Sequence, residues 1–146
     1  MVTTELRLSD NEIVPAKKAA QVPAYQLKIT LLGIVPPIWR RIQVPGGIKL
    51  SRLHDVIQVA MGWTDSHLHQ FERDGKYWGN PEYYEDDDIE VFDERRVPLH
   101  NLLQAEGDSA LYVYDFGDNW RHTVHRARRA REGQQFDLPR NRAAQR

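Results

Sequence analysis

From Tyr25 to Leu31 the chain alternates apolar and polar residues. Tyr25, Leu27, Ile29 and Leu31 fall on one side, and Gln26, Lys28 and Thr30 on the other. A period of two marks a strand with one buried face, and the strand is expected over residues 25–34. Pro36-Pro37 breaks it. Ile38–Val44 resumes as a second strand, with Ile38, Arg40, Ile42 and Val44 on one face and Trp39, Arg41 and Gln43 on the other. The period then changes. Leu53, Val56, Ile57, Ala60 and Met61 recur at helical spacing, and Gly62 follows where a helix commonly ends. The pattern predicts an amphipathic helix over Ser51–Met61 with Ser51 as its N-cap.

Period-two segments return at His67–Arg73, which places His67, His69 and Phe71 on one face. Asp74-Gly75 turns the chain into a short strand at Lys76–Trp78, and Pro98–Leu103 reads as a turn or two of helix. Leu111–Phe116 and Trp120–Val124 are strand-like segments either side of Gly117-Asp118-Asn119, which has the chemistry of a tight hairpin. With Gly117-Asp118 as a two-residue loop, Asp115 is expected opposite Trp120 and Val113 opposite His122. That register makes Asp115 and His122 diagonal neighbours. The elements together predict one α+β domain, a mostly antiparallel sheet with one main amphipathic helix packed on it.

Length and composition narrow the picture. At 146 residues the chain fits one domain, with residues 1–23 as a flexible arm, 24–128 as the folded unit and 129–146 as a basic, disordered tail. The sequence has no cysteine, which excludes disulfides, thiolate metal sites and cysteine nucleophiles and suits the cytoplasm. No apolar run is long enough to span a membrane. The net charge of −1 hides an asymmetry. Residues 82–94 carry eight acids and no base, whereas residues 121–146 carry eight arginines against Glu132 and Asp137. The acidic run lacks the ligand spacing and the glycine of an EF-hand, so it is expected to be a solvated loop. The arginine-rich tail is a candidate contact for nucleic-acid phosphates.

Candidate chemistry gathers at the histidines. His67 and His69, two apart on a strand, can share a metal, with Asp65, Asp115 or His122 completing the set. The same residues suit a polar network tying strands together. The expected cluster is His67, His69, Asp115, Asp118, Trp120 and His122, with His67, His69 and His122 as candidate ligands of a divalent metal. Asp115-Phe116-Gly117 matches a protein-kinase triplet but lacks the glycine-rich loop, strand lysine and catalytic loop that would give it meaning. Trp39, Trp63, Trp78, Trp120, Tyr112 and Tyr114 are expected to be mostly core.

Three strings, IWRRIQVPGGIKLSRLHDVIQVAMGW, HLHQF and YDFGDNWRH, occur in an order that resembles the Ri-plasmid (pRiA4b) orf-three-like family, also labelled transposon passenger TnpR-like. The resemblance covers residues 25–125. It implies a single α+β domain and an uncharacterised protein encoded near mobile elements. It also implies a continuation beyond the hairpin with cysteines and a Cys-Pro-Pro-Glu-Asp-like motif, from which the arginine-rich tail departs. Two functions stay open. One is a non-enzymatic binding or accessory module for a small ligand or protein partner, which the lack of any nucleophile or phosphate-loop motif favours. The other is a metal-dependent hydrolase using the His/Asp cluster by the hairpin.

Overall fold

The computed structural model describes residues 23–128. Their element order is β1 (Ala24–Leu31), β2 (Ile38–Pro45), α1 (Leu50–Met61), β3 (His69–Arg73), β4 (Lys76–Gly79), a 3-10 turn at Pro81–Tyr84, β5 (Val91–Asp93), the single turn α2 (Leu99–Leu102), β6 (Ser109–Tyr114) and β7 (Trp120–Arg126). The strands form one seven-stranded sheet in the order β2-β1-β7-β6-β3-β4-β5. Every pairing is antiparallel except β4 with β5. The α+β architecture expected from the periodicity is the one observed. The expectations for the N-terminal arm and the basic tail concern residues 1–22 and 129–146, outside the described part.

The alternation in β1 and β2 does what its period requires. Leu27, Ile29 and Ile42 are fully buried, and Val44 nearly so. α1 lays Leu50, Leu53, Ile57 and Ala60 on that face, where they meet Phe71, Tyr112 and Val124 of the inner strands. Arg40 shares the inner face, as its position in the alternation demands, and its Nε donates to Ala60 O at 3.1 Å near the helix C-terminus. Gly62 ends the helix at φ 80°, a left-handed conformation that glycine adopts at little cost. Ser51 is not the N-cap. The helix starts one residue earlier, at Leu50, and Lys49 occupies the cap position without a side-chain bond. The first amides are instead satisfied by tertiary carbonyls: Leu50 N donates to Val97 O and Ser51 N to Glu94 O.

Three further expectations are corrected. The β6–β7 hairpin pairs Tyr114 with Trp120 and Tyr112 with His122, so the connection is five residues, Asp115–Asn119, and the register moves by one. Asp115 and Asn119 both take positive φ, and Asp115 Oδ1 accepts the amides of Gly117 and Asp118, which holds the longer loop together. β3 begins at His69, so His67 lies in the preceding loop. The acidic run is not one solvated loop. It contains β5, and beyond it Glu94 is only 6% exposed.

Candidate functional site

The core-facing side of α1 carries two polar residues one turn apart, His54 and Gln58, both buried. They border the apolar stripe and look onto Tyr112 in the middle of β6. The Tyr112 hydroxyl accepts a hydrogen bond from Gln58 Nε2 at 2.9 Å and lies 2.6 Å from His54 Nδ1. With its oxygen accepting from Gln58, the hydroxyl gives its own proton to His54 Nδ1. His54 then carries its proton on Nε2 and donates it to Asp65 Oδ1 at 2.8 Å. Asp65 stands at φ 54° in the loop after the helix, and its amide donates to Gln58 Oε1 at 2.7 Å. The four residues therefore close a ring of hydrogen bonds that clamps this loop to helix and sheet.

A second His–carboxylate pair lies against the first. His69, the first residue of β3, sits 2.7 Å through Nε2 from Glu94 Oε1. Glu94 is held by its backbone: its amide donates to Gly79 O at the end of β4, and its carbonyl receives the Ser51 amide at the start of α1. The His54 and His69 rings stack with centroids 3.4 Å apart and planes 7° from parallel. Burial pushes the His54 pKa below the ordinary imidazole value, and the adjacent His69 lowers it further against the opposing pull of Asp65 and Glu94. His54 is thus a neutral imidazole at physiological pH. The same burial raises the Tyr112 phenol far above its ordinary value, so it stays a neutral hydroxyl.

The two pairs open onto a cleft of about 640 Å³. Its lining includes Ser51, Asp55, Ser66, Asn80, Tyr83 and Arg95 besides the His–carboxylate groups. Arg95 is engaged at the rim through a two-pronged contact with Asp93 Oδ1 and Oδ2.

The residues expected to form one cluster lie in three places. His69 is in the cleft. His67 is 53% exposed at the cleft mouth, with Nε2 3.6 Å from Asp115 Oδ2, and Asp118 is bound into the hairpin loop. His122 is fully buried, accepts from Trp63 Nε1 at 3.2 Å, and has Nδ1 3.1 Å from Tyr112 O. Trp120 packs on Trp63. With both ring nitrogens used inside the protein, His122 does not reach the cleft. The shift in hairpin register accounts for this, because it places His122 opposite Tyr112 on the core face.

Among the described residues, the group able to offer three ligand atoms to one ion is His54, Asp65 and His69, all within 4.8 Å of one another. His69 and Asp65 are legible candidates in the sequence. His54 and Glu94 are not. The available signal for His54 is that it and Gln58, spaced i and i+4, sit beside an apolar stripe. Glu94 is masked by the other acids around it.

No helix among the described residues is long and apolar enough to cross a membrane. The family model described as plasmid pRiA4b ORF-3-like protein matches residues 23–146, so the arginine-rich segment falls inside the matched range. The uncharacterised protein y4hQ of Sinorhizobium fredii (strain NBRC 101917 / NGR234) is 46% identical over 101 residues, 68% of this chain and 50% of that one. The chain thus spans about half the length of that curated relative. The crystal structure of a protein of unknown function from Methanosarcina mazei Go1 matches with a TM-score of 0.63 and 37% identity, over 77% of this chain and 65% of that chain. Sequence and fold agree: this chain belongs to the plasmid pRiA4b ORF-3-like protein family.

Proposed function

We propose that the chain is a binding module whose site is the cleft between α1, the 64–69 loop and the segment after β5. The observation that carries this reading is the pair of His–carboxylate contacts lining an open cleft, with His54 and Glu94 almost wholly buried behind it. Convergent polar groups at the wall of a concave site are what recognition of a small polar ligand requires. Its setting in this reading is the cytoplasm, as accessory to a mobile element; the family's plasmid-derived description supports that association. The test is a ¹H–¹⁵N NMR titration with small carboxylates, phosphates and amines, following the imidazoles of His54 and His69 and the amides of residues 64–69. Saturable shifts confined to these groups are expected. A panel that moves none of them contradicts the reading.

A second reading, hydrolysis assisted by a metal, is favoured by one feature: Glu94 stands beside His54, Asp65 and His69 at the wall of the same cleft. In that reading Glu94 is the base that takes a proton from water. Turnover of a nitrophenyl phosphate or acetate that disappears in Glu94→Gln supports it, and equal rates in both proteins exclude it.

A further inference from the structure

We propose that His54, His69 and Asp65 hold one divalent transition-metal ion through one imidazole nitrogen of each histidine and the Asp65 carboxylate, with Glu94 adjoining. The inference rests on the cleft being a binding site and goes beyond it by naming what binds. Three observations carry it. The three ligand atoms lie within 4.8 Å of one another. Tetrahedral ligation at about 2.0–2.2 Å sets ligand atoms about 3.3–3.6 Å apart, so the site closes when its widest pair draws together by about an ångström. The donors come from rigid or tied places: α1 for His54, the first residue of β3 for His69, and for Asp65 a loop pinned by the hydrogen bond its backbone N–H donates to Gln58 Oε1. An orienting partner is already in position, since the Tyr112 hydroxyl sits 2.6 Å from His54 Nδ1. Metal binding at Nε2 moves the His54 ring proton to Nδ1, so Tyr112 changes there from donor to acceptor and becomes the outer-shell partner that orients the ring.

The donor set decides the class of ion. Two imidazoles and a carboxylate, without sulfur, suit zinc and other first-row divalent ions better than calcium or magnesium. Three protein ligands leave at least one position open toward the cleft, where an exogenous ligand or water would sit. The stacked rings must splay from their near-parallel arrangement to aim one nitrogen lone pair of each at a common point.

The experiment is calorimetric titration of the full chain, stripped with a chelator, with Zn²⁺ alone, together with the visible spectrum of the Co²⁺ form. One ion per chain with micromolar or tighter affinity is expected, and a Co²⁺ spectrum of low coordination number. His69→Ala and Asp65→Asn should each weaken Zn²⁺ by about tenfold or more. Asp65 has an exposed side chain, so Asp65→Asn retains the fold even where a buried His54 variant does not. Tyr112→Phe should weaken Zn²⁺ less than His69→Ala does. A triple variant of the exposed acids, Asp86→Asn, Asp87→Asn and Asp88→Asn, should bind Zn²⁺ like the parent. The proposal is overturned if Zn²⁺ does not bind, if Asp65→Asn and His69→Ala bind it unchanged, or if the triple variant is the one that loses it. Small organic ligands that still shift the cleft resonances in the chelator-stripped protein would leave the binding module standing while the metal proposal fell.

Discussion

His122 owes its protonation state to two neighbours. Trp63 Nε1 can only donate, so His122 Nε2 must be an unprotonated acceptor, and Nδ1–H is left to donate to Tyr112 O. Burial lowers its pKa, against the backbone bonds that raise it. The unfolded chain takes up a proton at this residue near pH 6.5, whereas the folded chain resists until lower pH. Below about pH 6.5 the unfolded state therefore binds more protons, and stability falls with pH down to the lowered folded value. His54, shifted the same way, adds to the slope. Urea unfolding across pH 7.5 to 5 should show this decline, and His122→Asn should flatten it. A stability that rises on acidification through this window would refute the assignment. Tyr112→Phe probes the neighbouring ring. It leaves Gln58 Nε2 and His54 Nδ1 without their partner in a buried place and should cost about 1–3 kcal/mol in urea unfolding.

At the scale of elements, α1 is a helix because its apolar stripe has somewhere to go. Leu53 and Ile57 are fully buried against the sheet, so Leu53→Ala and Ile57→Ala should each cost about 2–5 kcal/mol by chemical denaturation. Losses under about 0.5 kcal/mol for both would mean an exposed face. The turn after β2 makes a sharper demand. A Cβ on Gly46 would stand 2.6 Å from Tyr25 Cε1, in a core ring that also carries the Arg126 guanidinium 3.6 Å from its centroid. Gly46→Ala should destabilise by about 1–3 kcal/mol, measured the same way. Strands and helix were legible because their periods are long enough to repeat. β5 was not: three residues amid acids show no period, and its parallel partner β4 supplies what holds it. The hairpin loop is longer than its composition suggests, because Gly117-Asp118 has the make-up of a two-residue turn while Asp115 and Asn119 accept positive φ and lengthen it.

For the whole molecule, the sheet order predicts where protection should be greatest. β1, β7 and β6 are each paired on both sides, whereas β2 and β5 are edges. Native-state amide exchange should be slowest in β1, β7 and β6 and fast in β5; slow exchange in β5 would show that a further contact covers that edge. The local pattern by itself determined the α+β class, the inner faces of β1 and β2, the buried stripe of α1 and its end at Gly62. Each depends on residues a few positions apart, whose spacing is set by backbone geometry. The site is different in kind. His54, Asp65, His69, Glu94 and Tyr112 come from a helix, a loop, the first residue of a strand, the residue after another and a central strand, and their meeting depends on the strand order and a one-residue register. Neither leaves a periodic trace, so the histidines that look paired in the chain, His67 and His69, point to different partners. His54 and Glu94, unremarked in the pattern, form the buried wall of the cleft because only tertiary packing brings the first half of α1, the residue after β5 and the first residue of β3 to one place.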